Sequence, residues 1–88
     1  MNFMKLLTDE NLTSNEIIIV IYFYEIGKGN PVTLSTKAIS KDLKVSRVTI
    51  INVIKSLSDK GIIEKNNNSN IYDGTMPNTY KLKIKKYI

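Results

Sequence analysis

Residues 35–57, STKAISKDLKVSRVTIINVIKSL, constrain this chain more than any other stretch. Apolar residues fall at Ala38, Ile39 and Leu43, then at Val45, then at Ile50, Val53, Ile54 and Leu57, a 3.6-residue spacing that breaks once. The break leaves only Lys44-Val45-Ser46 between the two periodic runs. Three residues allow a sharp turn and nothing longer, so the spacing predicts two helices crossing steeply with Val45 tucked between them. Each run also carries its own start signal. Ser35 is placed to cap the first, with Leu34 and Ile39 as a hydrophobic staple, and Ser46 the second, with Val45 and Ile50.

The rest of the chain supplies a support and an appendage. Thr13-Ser14-Asn15-Glu16 matches the capping box and Leu12 with Ile17 makes a third staple. Residues 17–24 are rich in β-branched side chains and would pass for a buried strand on propensity alone. The cap, the staple and the stop at Gly27 decide for a helix of three to four turns. Its main face is expected to be Ile17, Val20, Ile21 and Tyr24, but Ile18, Ile19, Tyr22, Phe23 and Ile26 make it apolar nearly all round. Such a helix calls for a second cover. A homodimer through Ile18, Tyr22 and Phe23 is expected, with burial under the N-terminal segment as the alternative. In that segment Phe3, Leu6 and Leu7 are expected on one side of a helical turn or two.

Val32-Thr33-Leu34 reads as a short extended segment. Gly61 stands where a helix-ending glycine belongs, and Ile62 to Lys65 starts a strand. A polar stretch holding Asn67, Asn68 and the turn pair Asp73-Gly74 follows. Residues 78–84 then alternate, Tyr80, Leu82 and Ile84 to one side and Thr79, Lys81 and Lys83 to the other, as a half-buried strand does. Two strands about a polar tip form a hairpin.

At 88 residues, one domain is expected. The sequence has no Cys, His or Trp, which argues against disulfides, thiol chemistry and the commonest transition-metal sites, so no metal, cofactor or catalytic residue is expected. The scattered carboxylates form no acid-base cluster. The longest apolar run, eight residues, is far short of the roughly 20 that span a bilayer, and no signal-peptide pattern precedes it, so a cytoplasmic protein without membrane contact is expected. Net charge is +5, unevenly spread. Residues 1–30 carry two basic groups against four acidic, residues 31–60 six against two, and residues 61–88 five against two. The excess lies on the two-helix unit and the hairpin, as a polyanion-binding face requires, although a lysine-rich solubilising surface would show the same balance.

With these elements in this order, the chain resembles the winged helix-turn-helix superfamily over residues 12–86. The resemblance is carried by Leu12-Thr13-Ser14-Asn15-Glu16, by residues 41–50, by residues 57–63 and by Asn78-Thr79-Tyr80-Lys81-Leu82. It implies an α+β, mainly α fold of three helices and a C-terminal β-hairpin wing. The parts are an N-terminal extension (1–11), the helix-turn-helix (35–60) and the wing (61–86). It also implies a protein that binds double-stranded DNA, with the helix after Ser46 reading the major groove. Carried over by position, DNA contacts fall to Ser46, Arg47, Val48, Thr49, Ile51, Asn52 and Lys55. Lys37, Lys41 and Lys44 flank them on the backbone, and Lys65, Asn67 and Asn68 lie near the minor groove. Val48 and Ile51 depart from the usual polar pattern and would meet thymine methyls or a partner subunit, which adds them to the dimer candidates. The sequence is also compatible with the small centromere-binding adaptors of tubulin-type plasmid and phage partition systems, whose partner would be a filament-forming NTPase. A repressor, a replication-initiation accessory protein and a winged helix used only for protein contact remain alternatives.

Overall fold

Each helix begins at the side chain that the sequence places in front of it. In the computed structural model, which describes residues 1–66 and 77–88, Asn2 caps α1 (Phe3–Leu7) and Thr13 caps α2 (Ser14–Gly27). Ser35 caps α3 (Thr36–Leu43), and Ser46 caps α4 (Arg47–Asp59). The capping box at α2 is complete: the Glu16 N–H donates to Thr13 Oγ1 at 3.2 Å and the Thr13 N–H to Glu16 Oε1 at 2.8 Å. The end of α4 is equally defined. Gly61 takes the left-handed conformation at φ 74, its N–H reaches the Ser58 carbonyl, and the Ile62 N–H reaches Leu57 O at 2.9 Å.

Strands β1 (Val32–Leu34), β2 (Ile63–Asn66) and β3 (Asn78–Leu82) form one antiparallel sheet in the order β1-β3-β2. The hairpin is therefore extended by the short segment before α3. Val32 faces Tyr80 and Leu34 faces Asn78 on one side, while Ile63 faces Leu82 on the other. The Thr33 and Thr79 hydroxyls pair across the strands at 2.9 Å. A 3-10 turn, Lys85–Tyr87, returns the chain to α1, where Tyr87 O accepts the Asn2 N–H. This is the expected α+β architecture, a winged helix-turn-helix with a helical extension at its N-terminus. Among the described residues, no helix is long and apolar enough to cross a membrane.

Three expectations about packing are corrected. The buried face of α2 is Glu16, Ile19, Val20 and Phe23, about one residue out of phase with the face read from the sequence. Phe23, expected at a dimer interface, is 1 % exposed and stacks on Tyr80 with ring centroids 4.9 Å apart. It belongs to the core because β3 lays an aromatic ring against it. Within α1 only Leu6 is buried, whereas Phe3 and Leu7 stay largely exposed. Phe3 instead meets Tyr24 edge-on at 5.8 Å, so the N-terminal segment covers part of α2 but not all of it. Ile18 and Ile26 remain 45 % and 48 % exposed. Gly27, the last residue of α2, admits Val32, since a Cβ there would meet Val32 Cγ2 at 2.6 Å; the left-handed residue that ends the helix is Lys28.

Glu16 does more than cap its helix. Although 2 % exposed, it accepts the Ser56 hydroxyl at 2.8 Å and the Lys60 ammonium at 2.8 Å, tying the first turn of α2 to the last turn of α4. Burial pushes its carboxyl pKa up, but Lys60, the Thr13 amide and Ser56 outweigh burial and hold it below its ordinary value. Glu16→Ala leaves three donors without their acceptor. Lys60 is partly exposed and can rehydrate, so the expected loss is about 2–3 kcal/mol, read as a fall of roughly 10–20 °C in Tm by circular dichroism. Glu16→Gln retains an oxygen acceptor and should lose less than half of that.

The two ends of the described chain are joined at Asp9. Its carboxylate accepts from the Tyr87 hydroxyl at 2.5 Å, the Asn11 N–H at 2.9 Å and Lys86, whose Nζ lies at 3.2 Å. The Tyr87 hydroxyl above all, with Asn11 and Lys86, brings its pKa from 3.8 down to about 2. A lowered carboxyl pKa adds stability that is complete above the unfolded value and disappears as pH falls through the folded one. Asp9 should therefore steepen the fall in stability between pH 3.8 and about 2. Urea unfolding of Asp9→Asn across that window should give a flatter profile than the parent chain.

Candidate nucleic-acid interface

The turn between α3 and α4 is built from the backbone outward. Lys44 takes the left-handed conformation at φ 58, ψ 40, and the Val45 N–H donates to Ser40 O at 3.3 Å. The Ser40 hydroxyl donates in turn to the Val45 carbonyl, so Ser40 clamps the turn from both sides. Sequence reasoning missed this residue, since a serine inside a helix carries no signal until the turn that it closes is seen. Val45 is half-buried and packs on the core between the two helices, as expected. A second missed tie is the Tyr22 hydroxyl, which donates to Asp42 Oδ2 at 2.7 Å and links α2 to α3. Burial, with the bond to Asp42, raises the Tyr22 pKa. Tyr22 is half-buried with its polar end committed, leaving Ile18 as the most exposed of the three α2 residues expected in a dimer contact.

With α4 held this way, Ile50, Ile54 and Leu57 go to the core and Val53 packs at its margin. The opposite side is open. Arg47, Val48, Ile51, Asn52 and Lys55 are all exposed, Val48 at 68 % and Ile51 at 47 %. At 3.6 residues per turn these five fall within an arc of roughly 140°. A guanidinium, an amide, an ammonium and two branched apolar groups thus share one helical face. Lys37, Lys41 and Lys44 are exposed on α3 and the turn, and Lys65 is exposed on β2. Asn67 and Asn68 lie outside the described residues.

The two hydroxyls at the start of α4 are partly occupied. Ser46 Oγ accepts the Thr49 N–H at 3.2 Å and donates to Thr49 Oγ1 at 2.9 Å. Ser46 is therefore first a cap. Thr49 is half-buried and keeps a hydroxyl hydrogen that none of the described contacts uses. Among the described residues, no group of three or more His, Cys, Asp or Glu is arranged to hold a metal ion.

An arrangement of this kind can present hydrogen-bond donors to base edges from a helix while lysines on the adjoining helix meet phosphates. Comparison with known proteins agrees with the geometry. A family model described as "HTH domain" matches residues 24–72, more than half of the chain, from the last turn of α2 through β2. Among solved structures, the chain is similar to one titled "possible transcriptional regulator" from Methanosarcina mazei Go1, with 26% identity and a TM-score of 0.64. The match covers 96% of this chain and 65% of that one, so the chain spans just under two thirds of that protein's length. No curated protein matches. The clamped turn, the open face of α4 and the family match over both helices agree, and the chain belongs to the HTH-domain family of helix-turn-helix DNA-binding domains.

Proposed function

We propose that the protein is a sequence-specific regulator that binds double-stranded DNA as a homodimer. Helix α4 enters the major groove and the β2–β3 wing lies beside the adjacent minor groove. The observation that carries this reading is the exposed face of α4, where Arg47, Asn52 and Lys55 stand together and away from the core. Arg47 suits guanine or a phosphate and Asn52 suits adenine. Lys37, Lys41 and Lys44 flank them at phosphate level, with Thr49 at the helix start. Lys65, with Asn67 and Asn68 after it in sequence, serves the wing. The likeness to a possible transcriptional regulator supports operator binding as the role. Dimerisation is assigned to the stripe of Ile18, Tyr22 and Ile26 along α2, where two of the three residues remain exposed.

Selection from random duplexes, followed by anisotropy titration of the winner at several salt concentrations, tests the proposal. Six basic groups per protomer are available at the face and wing, twelve in the dimer, so log K per dimer against log salt should fall with a slope of roughly −11. Affinity that does not change with salt would contradict the reading. In a second role, an adaptor that coats clustered sites and passes them to a filament-forming NTPase, the exposed pair Val48 and Ile51 would instead meet neighbouring copies. Footprinting the DNA around the coding region separates the two, a single short palindrome marking the regulator and several tandem repeats the adaptor.

A further inference from the structure

Val48 and Ile51 are the unexplained members of the α4 face. Single exposed apolar residues need no account, but these two stand three apart on a helix and form one patch, with Arg47, Asn52 and Lys55 on the same arc. Whatever covers the patch must also accommodate a guanidinium, an amide and an ammonium. An apolar protein surface would strand the Asn52 amide and the Lys55 ammonium without partners, which is strongly unfavourable. The major groove of an A·T-containing duplex offers both requirements together: phosphates for the cations, and the thymine C5-methyl as an apolar group among the base edges.

Position along the helix narrows the assignment. Asn52 lies one turn from Val48 and next to Ile51. Residues 48 to 55 rise about 10 Å, roughly three base-pair steps. An adenine held by Asn52 through N6 and N7 has a thymine as its pairing partner, whose methyl enters the same groove. Resting on the DNA-binding reading above, we infer that Val48 and Ile51 are specificity-determining residues that read thymine C5-methyl groups beside an adenine bound by Asn52. The core of each half-site is then a run of A·T pairs.

The test uses the intact chain and its selected duplex, with each thymine replaced in turn by deoxyuridine, which removes only the methyl. At one or two central positions per half-site, affinity should fall roughly fourfold per methyl lost. Positions outside the α4 footprint should be unaffected. Val48→Ser and Ile51→Ser, both at exposed sites, should bind the thymine duplex more weakly and no longer distinguish it from the uracil form. Equal affinity of the parent chain for thymine and uracil duplexes, with normal salt dependence, overturns this inference and leaves the DNA-binding reading standing. Loss of self-association in the Ser variants without any uracil sensitivity also overturns it, and assigns the patch to contact between copies. Failure to select any duplex overturns both readings together.

Discussion

Phe23→Ala should unfold the protein rather than separate two copies of it. The ring is 1 % exposed and lies on Tyr80 at 4.9 Å with an interplanar angle of 17°, at the junction of α2 and β3. Truncating a buried phenylalanine removes its transfer free energy and leaves a cavity, about 3–5 kcal/mol, and loss of the stacked partner adds to this. A chain of this length has on the order of 5–10 kcal/mol of total stability, so the variant should be marginal at room temperature. The expected fall in Tm is roughly 15–30 °C by circular dichroism. If Phe23 served an interface instead, sedimentation would show a folded monomer with Tm little changed. Ile18→Ser is the matching control, since Ile18 is 45 % exposed and its loss should shift self-association far more than folding.

The double variant Arg47→Ala, Asn52→Ala should lose about a hundredfold or more in affinity for the selected duplex. A good side-chain pairing to a base edge is worth about 1–3 kcal/mol of discrimination, and two such residues are removed. The loss should fall on specific binding. Non-specific affinity keeps the lysines and should fall only by the one charge removed from each protomer, which flattens the salt slope of the dimer by about 2. Both side chains are exposed, and a cation in the first turn of a helix opposes the macrodipole, so stability should change little. An unchanged Tm with specific affinity intact would show that DNA is bound through some other surface.

Local signals made much of this architecture legible. Thr13, Ser35 and Ser46 mark three helix starts because a capping side chain acts within three residues of itself, and each accepts the expected backbone N–H. Gly61 marks the end of α4 for the same reason, and alternation at Tyr80 and Leu82 marks the wing. The open face of α4 followed from where Ile50, Ile54 and Leu57 had to go. The phase of α2 was not legible, because a helix apolar on nearly every side carries no information about which side turns inward. That choice is made by partners distant in sequence: Ser56 and Lys60, 40 and 44 residues after Glu16, and Tyr80 against Phe23. The capping role of Glu16 was legible because a capping box is local, but its burial at the centre of a polar cluster was not, because Ser56 and Lys60 come from the far end of α4. The pairing of β1 with β3 was likewise hidden, being a contact between segments 46 residues apart.

On the proposed reading, the exposed side of α4 is the surface that meets DNA. An amide chemical-shift titration of the 15N-labelled chain with its selected duplex tests it residue by residue. The largest perturbations are expected at residues 46–55, smaller ones at Lys37, Lys41 and Lys44, and little along the α2 stripe beyond what dilution alone produces. Perturbations concentrated at Ile18, Tyr22 and Ile26, with α4 silent, would contradict it.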